Sequence, residues 1–268
     1  MMKKLMKLLT LVVFTLGLFN AQVAQAATLD EIKEKGQLVV GMNAEYPPFE
    51  WVEMVDGKDQ VVGIDAELAQ LIADAIGVEL VIDNRAFDSL IPTLNTNKID
   101  LIISGMSNTE ERAKQVDFSV SYYDPVSIFA VRTEDADTFT QLGDFNNAKV
   151  GALMTSTQEH YLKQDMPDVN LVSMGKNGDL IEGLVAKKVD AIFMSDLTLE
   201  QYLTTYSDRV SLVEGIEINN ELLGTSVAMS KGNTELLEVV NKVIEDAKAD
   251  GTLEQIFADS IAKAGQTE

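Results

Sequence analysis

Asp100-Leu101-Ile102-Ile103-Ser104-Gly105-Met106-Ser107-Asn108-Thr109-Glu110-Glu111-Arg112 reads as a buried strand over 100–104 that runs through a glycine into the first turn of a helix. Ser107 and Glu110 have the spacing of a capping box, and Gly105 lets the backbone come close to a ligand. Arg112 falls just inside the helix, within reach of the same mouth. In open α/β sheets, ligands bind beyond the carboxyl ends of the strands, where helix N-termini present unpaired N–H groups. Hydroxyls, free N–H groups and a guanidinium fork together suit a carboxylate. The alternative is that Ser107 only caps the helix and Arg112 is a solvated surface charge.

A second segment has the same form. Thr155-Ser156-Thr157-Gln158-Glu159 follows a strand over 149–153 and places three hydroxyls at a strand-to-helix turn. Alone, such a turn is more simply a helix cap. Two such mouths point to a small anionic or zwitterionic molecule held between them.

Working outward, strands and helices alternate. A helix over 29–35 precedes a strand at 38–41, and apolar residues from Ile64 to Ile76 repeat on one helix face until Gly77 stops it. Strand character returns at 79–82, and 89–94 forms a short helix. After 149–153 and a helix from 158, helices are expected at 180–186 and 197–203, with a strand at 190–194 between them. The chain closes with a strand at 225–229 and helices at 235–249 and 253–264. This order argues for an α/β fold with largely parallel sheets in two lobes. Tyr46-Pro47-Pro48-Phe49, with Trp51 close by, and Phe87 follow strands, where aromatic rings can stack on a ligand or simply fill a core.

Composition removes most other chemistries. The 268 residues carry 43 acidic and 21 basic side chains, a formal charge of −22. So acidic a chain repels phosphate backbones, and no nucleic-acid partner is expected. Without cysteine there are no disulfides, zinc–thiolate sites or thiol nucleophiles, and His160 is the single histidine. No cofactor, no metal and no catalytic residue are expected.

Lys3, Lys4 and Lys7, an apolar run over 8–19, and Ala24-Gln25-Ala26 have the layout of a secretory signal peptide cleaved after Ala26. The run is short of the roughly 20 apolar residues that a membrane span requires. Cleavage removes three lysines and no acids, leaving 242 residues with a charge of −25. No cysteine stands at the cleavage site to carry a lipid anchor, so the expected location is the periplasm, in solution.

The residues resemble a known family, the periplasmic solute-binding proteins of polar amino-acid ABC transporters (bacterial solute-binding protein family 3). The likeness runs in order through Gly41-Met42-Asn43-Ala44-Glu45-Tyr46-Pro47-Pro48-Phe49, Val62-Gly63-Ile64-Asp65, Phe87-Asp88-Ser89-Leu90-Ile91-Pro92 and Lys98 to Met106. It continues through Thr109, Glu110, Arg112, Val116-Asp117-Phe118-Ser119, Val189-Asp190-Ala191 and Gly251-Thr252-Leu253.

The resemblance implies a type II periplasmic-binding fold whose ligand cleft lies between lobes joined by two hinge strands. Residues 1–26 would be the signal peptide, 27–124 with 225–268 lobe one, and 125–224 lobe two. The ligand would be a polar amino acid, the partner a membrane permease, and the protein a monomer. Arg112 would pair with the ligand's α-carboxylate, helped by Ser104, Gly105, Met106 and Ser107 from the same segment. Tyr46 and Phe87 would sandwich the side chain, and Thr155, Ser156 and Thr157 would close from lobe two. Asn43 stands where family members often carry an acid that meets a cationic side chain, which argues against strict lysine or arginine specificity. The family's ammonium-binding acid would fall on Ser195. The nearest acid is Asp196, one residue later, which either reaches the site through a bulge or caps the following helix.

Two other functions fit such a scaffold. A periplasmic dehydratase acting on cyclic carboxylates would need a cleft acid or base, with Asp196, Glu45, Glu159 and the weaker His160 as candidates. A binding protein that presents its ligand to a chemosensor would have the same cleft.

Overall fold

The computed structural model describes residues 28–219 and 224–266, so the expected signal peptide lies outside the described residues. Among the described residues, thirteen strands and nine α-helices follow in chain order. The first part holds α1 (Leu29–Lys35), β1 (Gln37–Met42), β2 (Glu45–Tyr46), β3 (Glu50–Val55), β4 (Lys58–Val62), α2 (Ile64–Ile76) and β5 (Glu79–Asn84). Next come α3 (Leu90–Leu94), β6 (Leu101–Ile102), α4 (Glu110–Ala113) and β7 (Val116–Tyr123). Then follow β8 (Val126–Arg132), β9 (Lys149–Leu153), α5 (Thr157–Gln164), β10 (Asn170–Met174), α6 (Asn177–Val185), β11 (Ala191–Ser195), α7 (Asp196–Tyr206) and β12 (Val210–Asn219). The chain ends with β13 (Thr225–Ser230), α8 (Thr234–Ala249) and α9 (Thr252–Ala264).

Two five-stranded sheets organise these elements, in the orders β5-β1-β6-β13-β7 and β10-β9-β11-β8-β12. Each has a parallel centre, β5-β1-β6 in one and β10-β9-β11 in the other. Strands β13, β7, β8 and β12 join antiparallel, so the sheets are mixed where a largely parallel arrangement is expected from the alternation. These are the strands on either side of the two passages between sheets: β7 leads to β8 through Pro125, and β12 leads back to β13. A chain that crosses to another sheet and returns has no helical crossover there to keep its strands parallel.

Period-two alternation assigns each sheet two cores. Along β8, Phe129 and Val131 join one cluster with Phe145, Val150 and Phe193, while Ile128 and Ala130 join another with Leu180 and Ile192. Phe129 stacks between Phe145 and Phe193 at centroid distances of 4.3 and 4.2 Å. In the first sheet, Leu38, Val40 and Met42 pack with the apolar faces of α2 and α8. The opposite face packs on Leu90, Leu94, Ile99 and Met106.

The helix bounds follow the sequence cues closely. Thr28 and Glu31 complete a capping box on α1, and Gly77 ends α2 in the left-handed conformation. Two expectations change around the decisive segment. The strand shrinks to Leu101–Ile102, and the cap of α4 is Thr109, whose hydroxyl accepts from the Arg112 N–H. Ser107 is instead drawn into a bridge with Thr225, which pulls the segment along β13 before the helix can start.

Gly63 controls how α2 meets the rest. Its φ of 120° is open to glycine, and a Cβ there would collide with the Phe49 carbonyl and lie 2.8 Å from Trp51 Cζ3. Beyond it, Ile64 and Asp65 donate to the carbonyls of Pro48 and Phe49, tying α2 to the start of β3. Gly63→Ala should therefore destabilise the protein by about 2 kcal/mol or more, read as a lower urea midpoint with an unchanged slope.

Candidate ligand-binding site

Both decisive segments arrive at one cavity between the sheets. Its walls include Asn43, Tyr46, Phe87, Ser104, Gly105, Ser107 and Arg112 from the first side. Ser156, Thr157, Gln158, Asn177 and Ser195 come from the second. It continues into a larger outer cleft of about 1020 Å³ lined by Met106, Thr155, His160 and Pro125 among others. Met106 packs mainly in the core beneath the sheet, and Thr155 stands in the outer cleft.

Arg112 dominates the electrostatics. Its side chain is only 9 % exposed and lies 5.3 Å above the Phe87 ring. Nη1 donates to the Ser107 carbonyl at 2.8 Å, and Nη2 reaches across to the Thr155 carbonyl at 2.8 Å. No carboxylate forms an ion pair with it among the described residues. Burial lowers its pKa to about 10, which leaves it charged at neutral pH. A guanidinium with five N–H donors and two protein acceptors is thus a buried cation open to an anion.

The second wall is complementary. Ser156 caps α5 by accepting from the Glu159 N–H, and Thr157 and Gln158 stand at the first two helical positions. Their N–H groups have no protein partner among the described residues, so the positive end of α5 faces the same space as Arg112. Thr155 adopts a φ of 62° that turns its carbonyl toward Arg112, while its N–H is held by Glu159.

Other expected residues are placed in more specific ways. Ser104 Oγ accepts from the Asn43 N–H and donates to Glu50, and the Gly105 N–H donates to Asp65. Asn43 gives its amide to the Arg85 carbonyl at 3.2 Å. The Tyr46 ring stacks on Phe49 at 5.1 Å, its hydroxyl beside those of Ser195 and Thr198, and burial pushes its pKa up. Phe87 bridges the cores of both sides. Asp196 does not line the inner cavity: it accepts from Tyr123 and Ser195 at 3.2 Å each, whereas Ser195 itself lines it. No helix-cap hydrogen bond involves Asp196, and Ser195 is the N-cap residue.

Sequence reasoning overlooked three groups. Glu50 is fully buried and is the one acid lining the inner cavity among the described residues. Asn177 and Lys176, at the start of α6, reach the Glu45 carbonyl and carboxylate at 3.4 and 2.6 Å, and Tyr202 also donates to the Glu45 carbonyl. A glutamate following a proline-rich turn and a Lys-Asn pair before an apolar helix carry no local signal, since Ser104, which bonds Glu50, is 54 residues away and Glu45 lies 131 and 132 residues from Lys176 and Asn177.

Residues 38–261 match the profile of the bacterial extracellular solute-binding proteins, family 3. The chain is 30 % identical to ABC transporter arginine-binding protein 1 of Escherichia coli (strain K12) over 257 residues, covering 95 % of this chain and 97 % of that one. Among solved structures it is similar to an amino acid ABC transporter substrate-binding protein from Streptococcus pneumoniae bound to L-arginine. The TM-score is 0.84 and the identity 34 %, covering 89 % of this chain and 98 % of that one. It is also similar to an ancestral amino acid-binding protein described as a precursor of cyclohexadienyl dehydratase, with a TM-score of 0.79 and 30 % identity over 88 % of this chain and all of that one.

Gly105 is the tightest point of the site. Its φ is 54°, and a Cβ there would stand 2.5 Å from Tyr46 Cε1. Gly105→Ala should displace the Tyr46 ring from Phe49 and lower stability by about 1–3 kcal/mol, seen in thermal unfolding together with a changed near-UV circular dichroism spectrum.

Proposed function

The chain belongs to the bacterial extracellular solute-binding proteins, family 3, and we propose that it captures a polar amino acid in the interlobe cavity and delivers it to the permease of an ABC transporter. The observation that carries this reading is Arg112: a buried guanidinium without a carboxylate, held by one carbonyl from each side of the cleft. An α-carboxylate placed on Arg112 meets the open N–H groups of α5 at the same time. One ligand group thereby bonds both lobes, which is how binding closes a hinge.

In this reading, the lobes are 27–124 with 225–268 and 125–224, and the protein works as an extracytoplasmic monomer after its signal peptide is removed. Ser107 and Thr157 complete the carboxylate clamp. The engaged Ser104 hydroxyl and Gly105 N–H shape that clamp from behind. Tyr46 and Phe87 flank the side chain. The ammonium is held through Ser195, with Asp196 behind it at 3.2 Å supplying the charge. An amide at position 43, already bonded to the Arg85 carbonyl, favours a polar side chain over one that demands a full negative charge.

The dehydratase reading finds little support in the acids available to it. Burial alone would raise the Glu159 pKa, but hydrogen bonds from Ser173, Lys163 and the Thr155 N–H prevail and lower it, so it is a poor proton donor. Glu45 is paired with Lys176 at 2.6 Å.

Calorimetric titration of the refolded mature chain with the standard amino acids tests the proposal. One or a few polar amino acids should bind one to one, and silence across the set would count against it. Arg112→Ala should weaken the tightest of them by about a hundredfold or more, because an unpaired buried carboxylate costs about 3–5 kcal/mol. Asp196→Asn should weaken it less, by about tenfold, since that charge acts through Ser195.

A further inference from the structure

Beneath the segment that shapes the cavity lie two carboxyl groups, Glu50 at the start of β3 and Asp65 in the first turn of α2. Both are fully buried, and the two lie within hydrogen-bonding reach of each other. Neither has an ion-pair partner among the described residues. Asp65 accepts from the Gly105 N–H at 2.7 Å and from the Tyr122 hydroxyl at 2.8 Å. Glu50 Oε1 accepts from Ser104 Oγ at 2.6 Å, and Ser104 Oγ in turn accepts from the Asn43 N–H at 2.9 Å. Glu50 Oε2 is buried with no donor to receive among the described residues.

Two touching carboxylates without a cation cannot both stay ionised in so dry a place. A proton on Oε2 resolves both problems. The orphaned acceptor becomes a donor to Asp65, and Asp65 remains an anion that takes three donors. We propose that Glu50 and Asp65 share one proton, carried on Glu50 Oε2, and that this proton positions the Ser104–Gly105 segment to receive the anionic end of the ligand. The proposal rests on the amino-acid reading for its last clause only. Glu50 is thus a positioning residue, acting through Ser104 and Asp65.

The titratable groups that face the pair are Tyr122 from β7 and Tyr46 from β2, both neutral phenols whose own pKa values burial raises. Asp196 adds a further negative charge beside Tyr46. Burial pushes both carboxyls up, Glu50 the further because Asp65 repels its charge. A carboxyl raised in the folded state contributes stability that is complete below its unfolded pKa and is lost as pH rises through its folded one. Loss of the proton also puts a second negative charge behind the carboxylate clamp. Stability and ligand affinity should therefore both fall toward alkaline pH.

Infrared spectroscopy of the mature protein near pH 7 reads the proton directly, with no ligand present. A protonated-carboxyl C=O band is expected, absent from Glu50→Gln and lost from the wild type as pH rises. Amide exchange at Gly105 should be fast in Glu50→Ala and slow again in Glu50→Gln, whose amide can donate to Asp65 and accept from Ser104. With L-arginine as calorimetric probe, Glu50→Ala should bind at least about tenfold more weakly, and Glu50→Gln should recover most of that loss. Only the wild type should weaken further between about pH 6 and about pH 9. A wild type without the band overturns the proposal, as does a Glu50→Gln protein with the wild-type pH profile. So does a Glu50→Gln protein that binds as poorly as Glu50→Ala, which would make the charge itself a ligand contact. Failure of arginine to bind at any pH leaves band and amide exchange to decide the shared proton and its hold on Gly105, and the calorimetry then uses the amino acid that binds tightest in the titration above; only silence across that whole set counts against the functional reading.

Discussion

A buried positive charge without a negative partner is the constraint around which this molecule is arranged. Arg112 sits at 9 % exposure with two carbonyls and an aromatic ring for company. Desolvating a guanidinium costs several kcal/mol, and carbonyl dipoles offset that in part. Everything that borders the charge is consistent with holding it in place. The Ser107 carbonyl is fixed by the bridge to β13, and the Thr155 carbonyl by an unusual backbone conformation that Glu159 secures. Phe87 offers its ring face, which tolerates a cation without neutralising it. The scaffold thus keeps the charge available, and a bound anion completes what the protein itself leaves unbalanced.

Contacts between the two sides are few beside the cores within each. Apart from Arg112, they include Glu45 with Lys176, Asn177 and Tyr202, Tyr123 with Asp196, Tyr46 with Ser195 and Thr198, and Phe87 packed against a core on each side. Lys176 is 60 % exposed, so solvent screens its ion pair and the pair holds the two sides together only weakly. Each sheet, by contrast, is packed on both faces by fully buried side chains. Rigid lobes with a weak seam between them are the arrangement in which a single ligand can shift the balance of open and closed forms, since the gap to be bridged is small.

Much of this was legible in the chain, and the reasons for success and failure are physical. Helices bounded by local chemistry were read almost to the residue: α1 with Thr28 and Gly36, α2 with Gly63 and Gly77, α9 after Gly251. Strands β1, β9 and β11 announced themselves as apolar runs between turns. Strands β7 and β8 are not announced, because they follow one another across the passage between sheets without an intervening helix, and in β12 Gly215 and a register shift break the strand pattern. The hairpin β3–β4 turns at Asp56-Gly57, a pair that favours the left-handed region and is itself a local hairpin cue. At the site, residue identity pointed to Arg112 and to the hydroxyls of 155–157, yet could not show that Thr109 rather than Ser107 caps α4. Nor could it pair Glu50 with Asp65, whose meeting depends on how α2 docks under β3 and has no local trace.

The order of strands within the sheets carries a consequence for how the molecule comes into being. The second sheet is built from one unbroken stretch, β8 to β12, whereas the first needs β13, which is separated from β7 by that entire stretch. As the chain emerges from its N-terminus, the later half can assemble first while the earlier half waits, its central strand β6 lacking a neighbour on one side. Strand β13 supplies that neighbour and, through Thr225, the bridge that seats Ser107. Arg112 therefore stays in water until nearly the last residues arrive, and the desolvation of its charge is deferred to the final step of assembly. A truncation shortly before β13 would remove the strand that pairs with β6 and the bridge that seats Ser107, whatever site residues it still contained.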